Sequence, residues 1–155
     1  MAVITVKGKI QLEAELKKLK EVERPVVIRA IEEARAHGDL SENAEYSAAK
    51  EKQSFVEGRI AEISSKLADC QVIDPSTLKT DKIVFSATVT MLNIESDEKI
   101  KYQIVGQDEA DVSKGMISVL SPIARAMIGK LEGDIVVVKS PKGEIEYEIL
   151  KIEYV

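Results

Sequence analysis

The stretch EARAHGDLSENAEYSAAKEKQ, Glu33 to Gln53, sets helix-forming residues on both sides of a short break, His37-Gly38-Asp39-Leu40-Ser41. On its C-terminal side Tyr46, Ala49, Gln53, Val56, Ile60, Ile63, Leu67 and Cys70 recur at alternating steps of three and four. That spacing is the a/d seam of a coiled coil. On its N-terminal side, from about Lys7 to His37, the residues are again mostly strong helix formers, with apolar positions at Leu12, Leu16 and Leu19 and then Val27, Ile31 and Ala34. The two halves of that run are out of step, and Pro25 falls in the slip. A proline there removes one helix hydrogen bond and crowds the preceding turn, which predicts a kink or bulge rather than an end.

Two helices of about 30 residues would each run about 45 Å at 1.5 Å per residue, and the short turn makes them antiparallel. Such a hairpin buries only a narrow seam, and faces such as Lys17-Lys18-Lys20-Glu21 stay polar. We therefore expect it to project from, or insert into, something else rather than fold into a bundle.

Past QVIDPSTLKTDK the pattern changes from heptads to alternation, and Pro75 marks the expected domain boundary. The segments IVFSATVTML, KIKYQIVG, DIVVVKS and GEIEYEILKIEYV read as strands of a half-buried antiparallel sheet, with Pro141-Lys142-Gly143 turning between the last two. SPIARAMIGK supplies one short helix, with Ser121 as N-cap, Pro122 at the first helical position and Gly129 just past the end. The fold class expected is α+β: a helical hairpin over residues 1–75 with its tip near 38–42, then a compact sheet domain over 76–155.

The bulk numbers exclude several function classes. The net charge of −5 divides as 12 basic against 14 acidic residues over 1–74, and 10 against 13 over 75–155. Neither half has the positive surface that displaces counterions from phosphates, so no independent binding of duplex DNA is expected. No apolar run approaches the roughly 18 residues of a membrane span, and MAVITVKGKIQLEAEL is not a secretory leader pattern, so the expected location is the cytoplasm. The single cysteine, Cys70, reads as a buried continuation of the seam, and no Cys/His cluster has zinc spacing.

Asp39 and Glu42 admit two readings. A D-x-x-E pair at a helix start matches a capping box, with Asp39 accepting from orphan amides, Glu42 reaching back, and Gly38 ending the first helix in a left-handed conformation. Yet Glu45 follows, giving three acids within seven positions at the end of an arm. Carboxylates there are hard oxygen ligands suited to Mg²⁺, which binds through one or two protein carboxylates and keeps waters. His37 could join them, or be an ordinary solvated residue.

GDLSENAEY within the opening stretch, the upstream ERPVVIRAIEEAR, the linker ADCQVID and the later SPIARAMIGK together resemble the Gre family of bacterial transcript cleavage factors, in its GreA type. The resemblance covers essentially the whole chain. It implies an N-terminal antiparallel coiled coil and a C-terminal domain similar in topology to FKBP-type prolyl isomerases. It also implies a partner, bacterial RNA polymerase: the C-terminal domain docks at the rim of the secondary channel and the coiled coil enters it. By the resemblance Asp39 and Glu42 are the acids that help hold a second Mg²⁺ in the polymerase active site. The extruded RNA 3′ end of a backtracked complex is then cleaved, and the factor is not an enzyme by itself, nor is it expected to bind a cofactor when free.

The chemistry fits that implication. Two-metal phosphodiester hydrolysis needs one metal to activate water and one to stabilise the leaving oxygen, about 4 Å apart. Carboxylates delivered from outside could raise the occupancy of a weakly held second metal. Arg35 and Lys50 flank the turn and could guide RNA phosphates, as a basic patch does in the family, or be solvated helix-face charges; a lysine at 50 lacks a bidentate fork. Ser121, Pro122, Ile123, Ala124 and Arg125 are the expected polymerase-docking segment, with capping and core packing as the plainer reading. Two other functions stand beside the leading one. A channel-binding inhibitor would share the shape but depart at the tip, and a prolyl isomerase would need an aromatic pocket from Phe85, Tyr102, Tyr147 and Tyr154.

Overall fold

The computed structural model describes residues 2–38 and 43–155. They form two units, one over Lys9–Cys70 and one that joins Ala2–Gly8 to Gln71–Val155.

The helical unit contains most of α1 (Val6–Lys18), a five-residue π turn (Leu19–Glu23), α2 (Arg24–Arg35) and α3 (Ala44–Ala68). The π turn explains the slip in the apolar pattern. Leu19 and Val27 are eight positions apart, one more than a heptad, and both are buried. Pro25 cannot donate to the carbonyl four residues back and its ring crowds that carbonyl. Widening the turn just before it, with the Arg24 N–H reaching back to the Leu19 carbonyl, absorbs one extra residue and returns Val27 to the seam. The bulge read from Pro25 is thus present.

α2 and α3 run antiparallel: going down the hairpin, Asn43 meets Ala34, Glu57 meets Arg24 and Arg59 meets Glu15. Val27, Ile31 and Ala34 of α2 and Ala49, Val56, Ile60 and Ile63 of α3 are the buried seam residues of these helices. Two forked ion pairs brace its flanks. Arg24 donates through Nε and Nη2 to Glu57, both at 2.8 Å, and Arg59 donates to Glu15 at 2.6 and 2.9 Å. Cys70 departs from its expected place. α3 stops at Ala68, and Cys70 opens a strand, half-buried, with its Sγ 3.7 Å from the Leu67 carbonyl.

That strand, β2 (Cys70–Ile73), pairs with β1 (Ala2–Thr5). The main sheet holds β3 (Thr88–Asn93), β4 (Lys99–Val105), β5 (Met116–Ser118), β6 (Ile135–Ser140) and β7 (Gly143–Glu153) in the order β5-β4-β3-β7-β6. The antiparallel expectation holds for three of its pairings and fails for one, since β5 lies parallel to β4 with Ile117 beside Ile104. The strand read from Ile83 begins only at Thr88, because Ser86 takes a positive φ of 79° and breaks the extended run.

Alternation puts Val89 and Met91 of β3, Tyr147 and Ile149 of β7 and Val136 of β6 on one face. The short helix α4 (Pro122–Met127) supplies Ala124 and Met127 to that same core. Its cap is as expected: Ser121 Oγ accepts from the Ala124 N–H at 3.3 Å, and Gly129 leaves the helix at φ 88°.

Candidate functional site

The turn between α2 and α3 is the first place to test. α2 ends through hydrogen bonds from the His37 N–H to Ala34 O and from the Gly38 N–H to Arg35 O, at 3.2 and 3.4 Å. Gly38 then takes φ 109°, a conformation that disfavours any side chain, as its position after the helix implied. Asp39 and Glu42 lie outside the described residues.

Their reading as a capping box falls on those same residues, and the cap that is described is the residue that follows. The N-cap of α3 is Asn43, with extended backbone at φ −86° and ψ 103°, and its Oδ1 accepts from the Tyr46 N–H at 3.0 Å. Its carbonyl accepts from Ser47 N, the first bond of the helix. The other end of the same side chain crosses the hairpin: Asn43 Nδ2 donates to the Ala34 carbonyl at 2.7 Å. Sequence reasoning passed over Asn43 because Asp39 and Glu42 offered a matching motif four residues earlier. An Asn three residues before the first seam residue, Tyr46, was the signal available.

A second link spans the turn nearer the solvent. His37 Nδ1 lies 3.1 Å from Glu45 Oε2, with the two side chains 60% and 69% exposed. His37 is therefore paired with one of the three acids noted in the sequence. Arg35 is exposed in the last turn of α2, and Lys50 is exposed on α3 with its Nζ donating to Gln53 Oε1 at 3.0 Å. Among the described residues no group of three or more His, Cys, Asp or Glu side chains is arranged to hold a metal.

On the sheet unit, the segment expected to dock is partly consumed by the fold. Ala124 is fully buried and Ile123 packs against the core, while Ser121 Oγ donates to Ser118 O at 2.7 Å as well as capping α4. Ala124 is thus withdrawn from any surface. Pro122 and Arg125 remain exposed, and the apolar surface continues instead into Leu120 and Ile128, which the sequence reading did not include. The four aromatics considered for an isomerase pocket all belong to the core or its border. Tyr154 is committed further: its hydroxyl donates to the Lys82 carbonyl and accepts from the Val84 N–H.

Comparison with known proteins bears on both units. The transcription elongation factor N-terminal family matches residues 2–72, and the GreA/GreB C-terminal family matches residues 78–154. The transcription elongation factor GreA of Alkalilimnicola ehrlichii is 57% identical over 152 residues, covering 97% of this chain and 96% of that protein. That of Hyphomonas neptunium is 58% identical over 151 residues, covering 97% and 96%. Among solved structures, the GreA factor homolog 1 of Thermus thermophilus aligns with a TM-score of 0.45 at 23% identity, covering 98% of each chain. With both halves matched and relatives this similar along nearly its whole length, the chain belongs to the GreA/GreB family of transcription elongation factors.

Proposed function

We propose that this chain binds bacterial RNA polymerase, enters its secondary channel with the helical hairpin, and stimulates the polymerase's own endonucleolytic cleavage of backtracked nascent RNA. The observation that carries this reading is the closure of α2 on α3 around Ala34 and Asn43, with Asp39 and Glu42 in the short run of chain between them. Family membership supports the partner, and the two carboxylates support the chemistry.

Two-metal hydrolysis divides water activation and leaving-oxygen stabilisation between its two ions, and the second Mg²⁺ of the polymerase site would supply one of these roles when bound. Asp39 and Glu42 act in trans: they add anionic oxygen donors beside a weakly held cation and orient its waters. Arg35 and Lys50, on the helices either side, offer positive charge to the phosphates of the extruded RNA 3′ end. Leu120, Pro122, Ile123 and Arg125, beside the Ser121 cap, form the surface that docks on the polymerase outside the channel. The chain is then a factor rather than an enzyme, and its place of action is the cytoplasm.

The test uses backtracked elongation complexes carrying 5′-labelled RNA, with Mg²⁺ and the added chain. Shortening of the RNA is expected. Slowed synthesis with intact RNA would instead make the chain a channel-binding inhibitor, and proline-peptide isomerisation would point to the third reading.

A further inference from the structure

We propose that the open edge of β6 is a docking site for an extended protein segment with basic residues at alternate positions, which adds one more strand to the main sheet. The site lies wholly within the sheet unit and is independent of the hairpin turn.

The edge has the backbone such a segment needs. β6 ends the strand order and pairs with β7 alone. In an antiparallel pair alternate residues exchange their N–H and C=O groups with the neighbour, so the remaining groups of β6 point to the open side. An open edge templates further strands, and proteins blunt it by short length, charge or proline. The opposite edge is blunted in this way, since β5 has only three residues. β6 has six, Ile135–Ser140, with no proline and a single charged residue, Lys139, near its end.

The side chains select what fits there. Val136 is buried and Val138 half-buried on the core face, whereas Ile135 and Val137 are 58% and 44% exposed on the outer face. Directly beside them stand acids of β7: Glu148 is the register partner of Ile135, Glu146 of Val137 and Glu144 of Lys139. The acids follow one another at about 7 Å, two residues of strand. Among the described residues none of these three carboxylates has a hydrogen-bond or ion-pair partner. A strand added to β6 lies about 5 Å beyond it and about 10 Å from β7. A lysine or arginine on its outer face can lay its stem over Ile135 or Val137 and bring its charge to Glu148 or Glu146. The exposed β-branched side chains are then covered and the carboxylates gain cations. Main-chain bonds supply affinity and alternate side chains supply specificity in this mode of recognition. The same acids repel phosphate, so the occupant is protein rather than nucleic acid.

The probe is a short end-blocked peptide alternating lysine and valine, with a glutamate and valine peptide as its counterpart. Each is titrated into the full chain while backbone amide shifts and hydrogen exchange are followed. The lysine peptide should shift the β6 amides, slow their exchange, bind about tenfold or more tighter than the glutamate peptide, and weaken as salt rises. Glu146→Lys with Glu148→Lys should invert the preference, and Val137→Lys should weaken lysine-peptide binding, each with the wild-type thermal midpoint. Unmoved β6 amides at millimolar lysine peptide would overturn the proposal, as would equal affinity for the two peptides or a preference unchanged by the charge reversal. Protection of β6 by an RNA oligonucleotide would make the occupant nucleic acid, and concentration-dependent β6 shifts without peptide would make it a second copy; either result overturns the assignment to a basic protein segment.

Discussion

Glu109 Oε1 accepts the backbone N–H of Thr5 at 3.0 Å, joining residues 104 positions apart inside the sheet unit. The same oxygen accepts from the Thr5 hydroxyl, and Oε2 accepts from the Gly106 N–H at 2.7 Å. Glu109 is only 7% exposed, so β1 is pinned to the sheet domain by a buried acid whose two carboxyl oxygens are both engaged.

Glycine at position 8 is the other half of this arrangement. A Cβ on Gly8 would lie 1.5 Å from Glu109 Oε1, and the three atoms nearest to it all belong to that one side chain. Gly8→Ala is therefore expected to destabilise the wild-type chain, and Glu109→Ala to cost about 1 to 3 kcal/mol for each amide left unpaired. Combined, they should not add. With Glu109 truncated the clash is gone, and alanine's advantage within α1 should make Gly8→Ala stabilising by about 0.5 to 1 kcal/mol. Urea unfolding of the four chains, followed by a probe of the sheet, checks the change of sign.

Ser86 combines two costs, a φ of 79° on a residue with a side chain and a fully buried hydroxyl with no hydrogen-bond partner among the described residues. Its backbone is well used: the N–H donates to Ile104 O at 2.9 Å and the carbonyl accepts from Gln103 Nε2 at 3.4 Å. Ser86→Gly keeps both bonds and removes both costs. After the larger entropy of an unfolded glycine is set against them, a gain of about 1 kcal/mol is expected. A rise in thermal midpoint with unchanged helicity would be the observation to make.

Arg59 and Glu15 give the hairpin a pH dependence of known sign. The hydrogen bonds from Arg59 hold the Glu15 carboxyl below its ordinary value of 4.5, against a smaller opposing effect of burial. A group whose folded pKa lies below its unfolded one binds protons more readily when unfolded, so its contribution is complete above the unfolded value. It is lost as pH falls through the folded one. Helicity should therefore be flat from neutrality to about pH 4.5 and decline below it, and Glu15→Gln should flatten part of that decline. The pair is partly solvent-exposed, so its share is less than about 1 kcal/mol. Circular dichroism against pH, for wild type and variant, measures it.

Much of this architecture was legible because long periodic signals are hard to mistake. The seam from Ala49 to Ile63 repeats over several turns, and Pro25 announced the π turn through the one-residue slip it causes. Strands β3, β4, β6 and β7 each span six residues or more, long enough for a strand pattern to register. What escaped was short or non-local. β1 and β2 have four residues each and β5 has three, too few for alternation to register, and β5 is placed by a parallel pairing. Glu109 reads as one more loop acid, since its burial depends on Thr5 and on two glycines, Gly8 and Gly106, that leave room for it. At the turn, the D-x-x-E pattern drew the reading to residues outside the described ones, while the cap that is described, Asn43, is a single letter with no partner motif.

The central claim is that the acids at the turn act on a magnesium held by the polymerase. The most direct measurement is the rate of RNA cleavage in backtracked complexes as Mg²⁺ is titrated, with wild type and with Asp39→Asn, each at a concentration shown to saturate polymerase. Wild type should accelerate cleavage and lower the half-saturating Mg²⁺, while Asp39→Asn should bind polymerase nearly as well and do neither. If Asp39→Asn cleaves at the wild-type rate with the wild-type Mg²⁺ dependence, Asp39 is not a metal-organising group and the account is contradicted.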